Sequence, residues 1–302
     1  MLALALPAAA GADGRLHQSS ADVLDYWTPE RMASAQPGSR LLAGIPAPSD
    51  LLGILLGGGS APQPRAAERV TNAGAPPFRT HGKVFFSLPS GDYVCSGTVV
   101  RAKTKRLVVT AGHCVFGDDT FADNWMFVPG KDGASEPFGR WTAGRLAAPE
   151  QWQAAEDIRY DVGMATIRKR NQKRLQNVVG ARGIAFDQGR DLDFDAFGYP
   201  AEPPFSGAQL WHCRSPAQGA DSGPPPAPTR IDCDMTGGAS GGGWVIGDRR
   251  VNSVVSYGYE CVIPIPPLCD NPEEGKLFGP YFGAVIERLY RSQRRPLGQR
   301  AR

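Results

Sequence analysis

The chain has 302 residues, of which 41% are hydrophobic, which predicts one or two folded domains and excludes a wholly disordered protein. Its formal net charge of +3 is small for this length, so we expect no nucleic-acid partner. The 37 glycines and 27 prolines favour turns and short strands over long helices. No apolar run reaches the ~18 residues that a membrane helix needs, so we expect no membrane partner.

The first 70 residues differ in composition from the rest of the chain. Residues 1–14 are rich in alanine and leucine and predict a partial signal peptide, which lacks the usual basic residues before its apolar part. Residues 15–70 contain one histidine and no cysteine, and they predict either a propeptide or a disordered spacer. Within them, Thr28 and Pro29 are typical of the first positions of a helix. Residues 71–302 form the main domain, with a basic tail at 291–302.

From residue 83 onward, short apolar runs alternate with turn residues, a pattern typical of β-strands. The predicted strands are 83–88, 93–100, 106–110, 125–128, 162–167, 194–199, 208–213, 229–233, 243–246 and 251–257. Residues 282–290 predict an amphipathic C-terminal helix. We therefore expect an all-β protein with one terminal helix, although the periodicity alone does not distinguish barrels from a sandwich.

The six cysteines are an even number, and none of them forms the C-x-x-C pattern of zinc or redox sites. Disulfide bonds are therefore expected, and pairing in sequence order is our prediction among the possible connectivities. The predicted bridges are Cys95–Cys114, Cys213–Cys233 and Cys261–Cys269. Because disulfides form in oxidising compartments, they predict an extracellular protein.

Ser240 lies in a glycine-rich run at 235–244 that leads into an apolar strand. A serine hydroxyl becomes a strong nucleophile when a base takes its proton and amide N–H groups receive the oxyanion. His113, which follows an apolar strand, is the candidate base. Asp161, which precedes another apolar strand, is the candidate group that orients this imidazole, and Asp157 is the alternative.

The order of these residues along the chain distinguishes folds that share the same chemistry. All four histidines precede Ser240, which excludes the α/β-hydrolase order, where the histidine follows the serine. The subtilisin order needs an aspartate before the histidine. Asp92 stands there, but its Ser-Gly-Asp setting at 90–92 predicts a turn. The order His113, Asp161, Ser240 is the one favoured.

Four short motifs resemble those of the trypsin-like serine peptidases of the chymotrypsin fold, especially their bacterial, V8-like branch. They are TAGHC at 110–114, YDVG at 160–163, GASGG at 238–242 and SYG at 256–258. The resemblance covers residues 80 to 290, approximately. It implies two six-stranded antiparallel β-barrels with the catalytic residues in the cleft between them.

The resemblance also implies roles for backbone groups near the serine. The N–H groups of Gly238 and Ser240 are expected to form an oxyanion hole. Ser256, Tyr257 and Gly258 are expected to form the strand that pairs with the substrate backbone. The hydroxyl of Ser256 is also expected to bond the catalytic aspartate.

Substrate choice and activation are where the chain departs from well-known family members. Asp234 occupies the position that implies the floor of the primary specificity pocket, which favours cleavage after Arg or Lys. Alternatively, Asp234 caps the turn at 236–237, and the pocket takes apolar or small residues. Ala239 replaces the aspartate that forms an activating ion pair in trypsin-like zymogens. Ser256 and Val255 are not histidine, so specificity for Glu is not expected.

Together these observations predict a secreted bacterial serine endopeptidase that acts on protein or peptide substrates, as a monomer and without a metal or cofactor. Acidic residues at 118, 119 and 123 could suggest a calcium site, but a polar loop is the simpler interpretation. Two alternatives remain at this point. One is a catalytically inactive homologue that binds a partner, and the other is an esterase that uses the same three residues.

Overall fold

A computed structural model of the protein describes residues 14–42, 66–259 and 275–294. The strands in chain order are β1 (Gly14–Arg15), β2 (Gln36–Pro37), β3 (Glu68–Arg69), β4 (His81–Leu88), β5 (Gly91–Val100), β6 (Leu107–Thr110), β7 (Phe116–Gly117), β8 (Thr120–Phe121), β9 (Asp123–Pro129), β10 (Trp141–Ala147), β11 (Gly163–Ile167), β12 (Gly183–Ile184), β13 (Asp193–Gly198), β14 (Trp211–Ala220), β15 (Thr229–Asp232), β16 (Gly243–Ile246), β17 (Arg250–Val254) and β18 (Lys276–Gly279). The α-helices are α1 (Ser20–Tyr26), α2 (Pro29–Ser34), α3 (Glu150–Ala155), α4 (Leu175–Val179) and α5 (Ala284–Gln293), and short 3₁₀ helices cover Gly38–Leu42, Phe78–Thr80 and Ile158–Tyr160.

The first sheet closes into a six-stranded barrel. Strands β4, β5, β6, β11, β10 and β9 pair antiparallel in that order, and β9 pairs back with β4. Inward-facing side chains such as Val84, Phe86, Val108 and Phe127 are fully buried in its interior. Each such aliphatic or aromatic side chain contributes about 1.5–3 kcal/mol by leaving water.

The second sheet curves into a half-barrel. Strands β17, β16, β13, β14, β15 and β18 pair antiparallel in that order. Within the described ranges its two ends meet through a single bridge, Tyr257 to Phe278. Helix α5 packs Ile286 and Tyr290 into the core between the sheets. The predicted all-β, two-barrel fold with a C-terminal helix is confirmed, except that the second barrel is closed less completely than expected.

Residues 14–42 are folded onto the first barrel. Strand β1 pairs with β10, and β2 runs parallel to β5. Val23 of α1 and Trp27, which directly follows the helix, are buried against the barrel surface. Helix α2 begins at Pro29 with Thr28 as its N-cap, as the sequence predicts. Residues 15–42 thus have defined secondary structure, and the choice between a propeptide and a spacer for residues 15–70 stays a prediction. Residues 43–65 lie outside the described part, as do residues 1–13 and the basic tail from 295 onward.

Two of the three predicted disulfides are present. Cys95–Cys114 and Cys213–Cys233 have Cα–Cα distances of 6.3 and 5.7 Å. Cys261–Cys269 lies outside the described residues. None of the described helices has the length and apolar character needed to cross a bilayer.

Candidate active site

The pairing of two strands brings His113 and Asp161 to the same edge of the first barrel. Strands β6 and β11 are antiparallel, with Thr110 opposite Gly163. The turn that leaves β6 carries His113, and the turn that enters β11 carries Asp161. The two side chains therefore meet above the end of the barrel, although 48 residues separate them in sequence.

Asp161 holds the imidazole of His113 at two points. Its Oδ2 lies 2.9 Å from His113 Nδ1, and its Oδ1 accepts the backbone N–H of His113 at 2.8 Å. The Ser256 hydroxyl donates to the same Oδ2, as the resemblance implies. Both Asp161 and Ser256 are fully buried. Three donors thus surround a buried carboxylate and fix its orientation toward the imidazole.

Gly112 makes this close approach possible. A Cβ atom at position 112 would lie 2.8 Å from Asp161 Oδ1 and 2.9 Å from the Trp152 ring. Neither the carboxylate nor the buried indole can move away without breaking contacts. A residue with a side chain would therefore clash at this position of the TAGHC motif, and glycine is required.

Asp157, the alternative to Asp161, is committed elsewhere. Its carboxylate binds the Arg159 guanidinium with an Nη2–Oδ2 distance of 2.6 Å and accepts the backbone N–H of Arg159. The hydrogen bond from the Arg159 side chain lowers the pKa of Asp157 below its usual value. None of the hydrogen bonds of Asp157 among the described residues involves His113.

The loop before Ser240 presents two unused backbone donors. The Gly237 carbonyl accepts the N–H of Ala201 at 2.6 Å. In a trans peptide the C=O and the following N–H point in opposite directions, so the Gly238 N–H is directed away from Ala201. Neither the Gly238 nor the Ser240 N–H finds an acceptor among the described residues. Two free donors beside a serine are what an oxyanion hole requires.

The backbone of this loop requires glycine. Gly238 has φ +93°, which other residues rarely adopt, and a Cβ there would lie 2.8 Å from the carbonyl oxygen of Tyr199. The glycine-rich composition around Ser240 therefore serves a conformation that exposes amides.

Ser96, which the sequence analysis did not single out, joins the two barrels at this loop. Its backbone N–H donates to the Ser240 carbonyl at 2.7 Å, and its hydroxyl donates to the Gly238 carbonyl at 2.9 Å. The same hydroxyl accepts the N–H of Tyr199 at 2.8 Å. The signal for Ser96 was its place next to Cys95, whose predicted bridge leads to the residue after His113.

Glu202 was also missed, because nothing in its local sequence marks it. Its Oε2 accepts the N–H of Gly237 at 3.2 Å. Its backbone N–H donates to the Thr236 hydroxyl at 3.2 Å, and that hydroxyl donates back to the Glu202 carbonyl at 2.9 Å. Residues 201–202 thus grip the loop that carries the two free donors.

Ser240 lies beside the histidine turn, with its carbonyl oxygen 3.8 Å from Cys114 Sγ. The Nε2 atom of His113 has no hydrogen-bond partner within the described residues, so the serine hydroxyl is not bonded to it in this state. Catalytic hydrogen bonds are often long before substrate binds.

A segment of the N-terminal region covers these residues. We call residues 36–42 the cleft segment. A Cβ at Gly38 would lie 3.5 Å from His113 Cδ2 and 2.6 Å from Cys95 Sγ, and the Ser39 hydroxyl contacts Gly237. In the structure, His113 is 1% and Ser240 is 2% exposed.

The residues predicted to bind substrate are only partly connected to this centre. The backbone N–H groups of Ser256 and Tyr257, which precede Gly258, both donate to the carbonyl oxygen of Phe278. Asp234 accepts the N–H of Ala67 at 2.7 Å, its one hydrogen bond within the described ranges. It does not cap the 236–237 turn, because Gly237 donates to Glu202 instead.

The described residues contain one cluster of three potential metal-ligating side chains, Cys95, His113 and Cys114. The two sulfurs are joined in a disulfide, so they are not thiolate ligands. In the acidic loop, Asp118 accepts the N–H of Ser90 at 2.8 Å and does not gather with its neighbours into such a cluster.

The two-sheet architecture, with a His–Asp pair near a serine loop, is the arrangement of chymotrypsin-fold serine peptidases. Among solved structures, the protease Anisep from Arthrobacter nicotinovorans is 38% identical, and the match covers 76% of this chain and 99% of that chain with a TM-score of 0.68. The thermostable serine protease AL20 from an extremophilic microorganism is 35% identical, over 72% of this chain and 97% of that chain, with a TM-score of 0.65. The chain therefore belongs to the chymotrypsin-fold serine endopeptidases, in their bacterial, V8-like branch.

Curated sequences add two more distant relatives, and no protein-family profile matches the chain. Glutamyl endopeptidase of Bacillus licheniformis is 31% identical over 120 residues, 39% of this chain and 34% of that protein. Extracellular metalloprotease of Bacillus subtilis is 26% identical over 160 residues, 51% of this chain and 48% of that protein. The matches thus span about a third and about half of the length of these two relatives.

Proposed function

We propose that the protein is a secreted endopeptidase that hydrolyses peptide bonds with Ser240 as nucleophile, His113 as general base and Asp161 as the group that orients the base. The observation that carries this proposal is the imidazole geometry. Nδ1 is bound to a buried carboxylate at 2.9 Å, which leaves Nε2, the other ring nitrogen, without a hydrogen-bond partner among the described residues. Two unused N–H groups, those of Gly238 and Ser240, lie in the same loop.

In the first half of the reaction, His113 Nε2 takes the proton of Ser240 as the hydroxyl oxygen attacks the substrate carbonyl carbon. The oxyanion that forms accepts the N–H groups of Gly238 and Ser240. Asp161 keeps the Nδ1 proton in place and stabilises the imidazolium. His113 then gives its proton to the leaving amine, the C–N bond breaks, and an acyl-enzyme remains on Ser240.

In the second half, water replaces the amine. His113 Nε2 takes a proton from the water as it attacks the acyl carbon, and the same two N–H groups receive the second oxyanion. Collapse returns the proton to Ser240 and releases the carboxylic acid. The strand at Ser256–Gly258 is proposed to bind the acyl side of the substrate through its backbone.

The names of the two curated relatives point to different catalytic classes, and the donor set here favours the serine mechanism. A catalytic zinc needs about three N, O or S ligands from the protein. Around His113 the described residues offer one imidazole and two sulfurs that are locked in a disulfide. Such a set does not fit a zinc site, whereas it fits an acid–base histidine.

An inactive binding homologue and an esterase are the rivals. A binding protein has no need for an oriented imidazole beside unused amides, so the geometry favours an enzyme over the first rival. An esterase shares the chemistry, and the difference lies in whether amide substrates are also cleaved.

We further propose that residues 15–70 act as a propeptide that keeps the enzyme latent. The support is the burial of His113 and Ser240, together with the approach of Gly38 to the His113 ring and of Ser39 to Gly237. Activation by a new N-terminal ammonium beside the serine is not expected, because Ala239 stands where trypsin-like zymogens carry the partner aspartate and has no carboxylate to pair with it.

The test is labelling with a fluorophosphonate probe together with amide hydrolysis, both on protein recovered from the medium of an expressing bacterium. Labelling that maps to Ser240, cleavage of a peptide library, and loss of both in Ser240→Ala are the expected results. Ser253→Ala, another buried serine of the second barrel, is the matched control. Ester hydrolysis without amide hydrolysis would support the esterase, and absence of labelling in the exported, N-terminally processed protein would support the inactive homologue.

A further inference from the structure

The cleft segment lies on one particular side of Ser240. Strand β2 of this segment runs beside Tyr93 and Val94 of β5, and Gly38 packs on the Cys95 sulfur and the His113 ring. The proposed acyl-side strand at Ser256–Gly258 belongs to the other barrel. The cleft segment therefore occupies the side where His113 would hand its proton to the leaving amine.

Within the cleft segment, Arg40 reaches a carboxylate of the enzyme body. Its Nε lies 3.6 Å from Glu202 Oε1, and its Nη1 donates to Gln36 Oε1 at 3.1 Å. The Arg40 side chain is 58% exposed and that of Glu202 is 24% exposed. The arginine thus approaches from the solvent toward a carboxylate that is mostly enclosed.

The Glu202 carboxylate is held in place by contacts that do not involve Arg40. Oε2 is bonded to the Gly237 N–H, and the backbone of Glu202 exchanges two hydrogen bonds with Thr236. Oε1 is the oxygen that faces Arg40, which is the one ion-pair partner of Glu202 in the described ranges. Departure of the cleft segment would leave a fixed negative charge on Glu202, the residue directly after Ala201, with no ion-pair partner among the described residues.

We infer that Glu202 is a specificity-determining residue that selects a basic side chain on the leaving-group side of the scissile bond. In the uncut chain, Arg40 occupies the position that this substrate side chain would take. The inference rests on the proposed function, because a leaving-group side exists only if an acyl-enzyme forms. It names a subsite distinct from the primary pocket that Asp234 was expected to define.

The alternative is that Glu202 only holds the loop of Gly237. A carboxamide separates the two roles. In Glu202→Gln the side-chain oxygen can still accept the Gly237 N–H, whereas the negative charge is lost. A purely structural role would therefore leave leaving-group preference unchanged in Glu202→Gln.

The experiment measures how an acyl-enzyme divides between water and added amines. The full chain, activated by limited proteolysis, is acylated with an ester substrate in the presence of argininamide or glycyl-argininamide. Glutaminamide and glycyl-glutaminamide serve as neutral amines of similar size. The ratio of amide product to acid product reports binding on the leaving-group side, and hydrolysis in the same tube cancels any change in overall rate.

We expect at least one of the two arginine amines to be favoured about two- to fivefold over its glutamine counterpart, the size that a partly exposed ion pair supports. The preference should shrink as salt is raised from 0.05 to 0.5 M, which are about the concentrations over which screening becomes strong. It should vanish in Glu202→Gln and persist in Glu287→Gln, which removes one negative charge on α5 at a different surface.

Equal use of the arginine and glutamine amines by the wild type would overturn the inference, and so would a preference that survives in Glu202→Gln. Failure of the proposed function looks different, because no acyl-enzyme and no amide product of any amine would then form. If Glu202→Gln does not fold, the salt dependence of the wild-type preference decides, since a preference that is insensitive to salt contradicts a role for charge.

Discussion

The hydroxyl of Ser96 donates a 2.9 Å hydrogen bond to the carbonyl of Gly238, so a strand of the first barrel fixes a loop of the second barrel. This contact acts on the conformation of the two free amides without touching the reacting atoms. It makes Ser96 a positioning residue for the proposed oxyanion hole.

We predict that Ser96→Ala lowers kcat more than it changes KM. The substitution leaves the Tyr199 N–H and the Gly238 carbonyl unpaired, which costs about 1–3 kcal/mol for a buried polar group. If half or more of this cost falls on the loop geometry, kcat falls roughly tenfold. Steady-state kinetics on a peptide amide checks this. Ser253→Ala is the control, because it removes a buried hydrogen bond to Pro280 within the second barrel rather than one to the serine loop. An equal loss of kcat in both variants would contradict the assignment.

The two candidate aspartates are separated by a pair of amide substitutions. Asp161→Asn should lower kcat by about 10⁴-fold, because the imidazole is then held in the wrong tautomer. Asp157→Asn should change kcat by less than about threefold, since a surface pair with Arg159 contributes ~0–1 kcal/mol. Peptide hydrolysis by the two purified variants gives the ranking, and the reverse order would transfer the orienting role to Asp157.

Latency is tested by disturbing the cleft segment in the uncut chain. Gly38→Val puts a Cβ 2.6 Å from the Cys95 sulfur, which its disulfide holds in place, so the segment must lift. Overpacking of this kind costs about 1–3 kcal/mol, which predicts probe labelling of Ser240 that is roughly five- to a hundredfold faster. Gly189→Val, where a Cβ meets no atom within 4 Å, is the control. Labelling of full-length Gly38→Val at the wild-type rate, with mass spectrometry confirming an intact chain, would argue against occlusion.

Acid stability should depend on His81, which lies between the barrels. Burial lowers the pKa of His81 well below its usual 6.5, with Arg182 and His212 adding to the effect. Below pH 6.5 the imidazole of His81 is protonated in the unfolded chain but stays neutral in the native state. The free energy of unfolding is therefore highest above pH 6.5 and decreases as the pH falls.

The slope contributed by this one group is at most about 1.4 kcal/mol per pH unit. His81→Gln removes the titration and should flatten the dependence of the unfolding free energy on pH between 6.5 and 4.5, measured with urea. His17→Gln, an exposed histidine, should leave the slope unchanged. A wild-type slope retained in His81→Gln would assign the acid sensitivity to other groups.

Cleavage after Arg or Lys remains a prediction from the sequence, and substitution of Asp234 tests it. In the uncut chain the Asp234 carboxylate accepts the N–H of Ala67 at 2.7 Å. Ala67 belongs to the proposed propeptide, so removal of that region would free the carboxylate for a substrate cation. If Asp234 lines the primary pocket, a peptide library shows cleavage after Arg or Lys, and Asp234→Ser loses that preference. Cleavage after Leu, Phe or Ala with no basic bias would make Asp234 structural.

Local pattern explains what could be foreseen. The pairing of His113 with Asp161 was predictable because each lies in a short motif next to an apolar strand, one after β6 and one before β11. Thr28 and Pro29 marked a helix start because capping depends on neighbours in sequence. The bridge Cys95–Cys114 followed from the spacing of cysteines.

Long-range packing explains what could not be foreseen. The docking of Gly38 on the histidine ring depends on the surface of the folded barrel, and no pattern within residues 36–42 reports it. The hydrogen bonds of Ser96 and Glu202 to the serine loop join positions more than 30 residues apart. Local sequence patterns do not predict contacts over such separations. Incomplete closure of the second sheet likewise depends on how β17 and β18 meet.

The division of the site between two sheets has a consequence for how activity is lost. His113 and Asp161 belong to one sheet and Ser240 to the other, and the backbone bond from Ser96 to Ser240 spans the boundary. Heat, pressure or cosolvent that slides the sheets apart by an ångström would stop turnover while every strand kept its own hydrogen bonds. Loss of activity would therefore report a change in the distance between the two sheets. Circular dichroism would not detect this change, because the secondary structure stays intact.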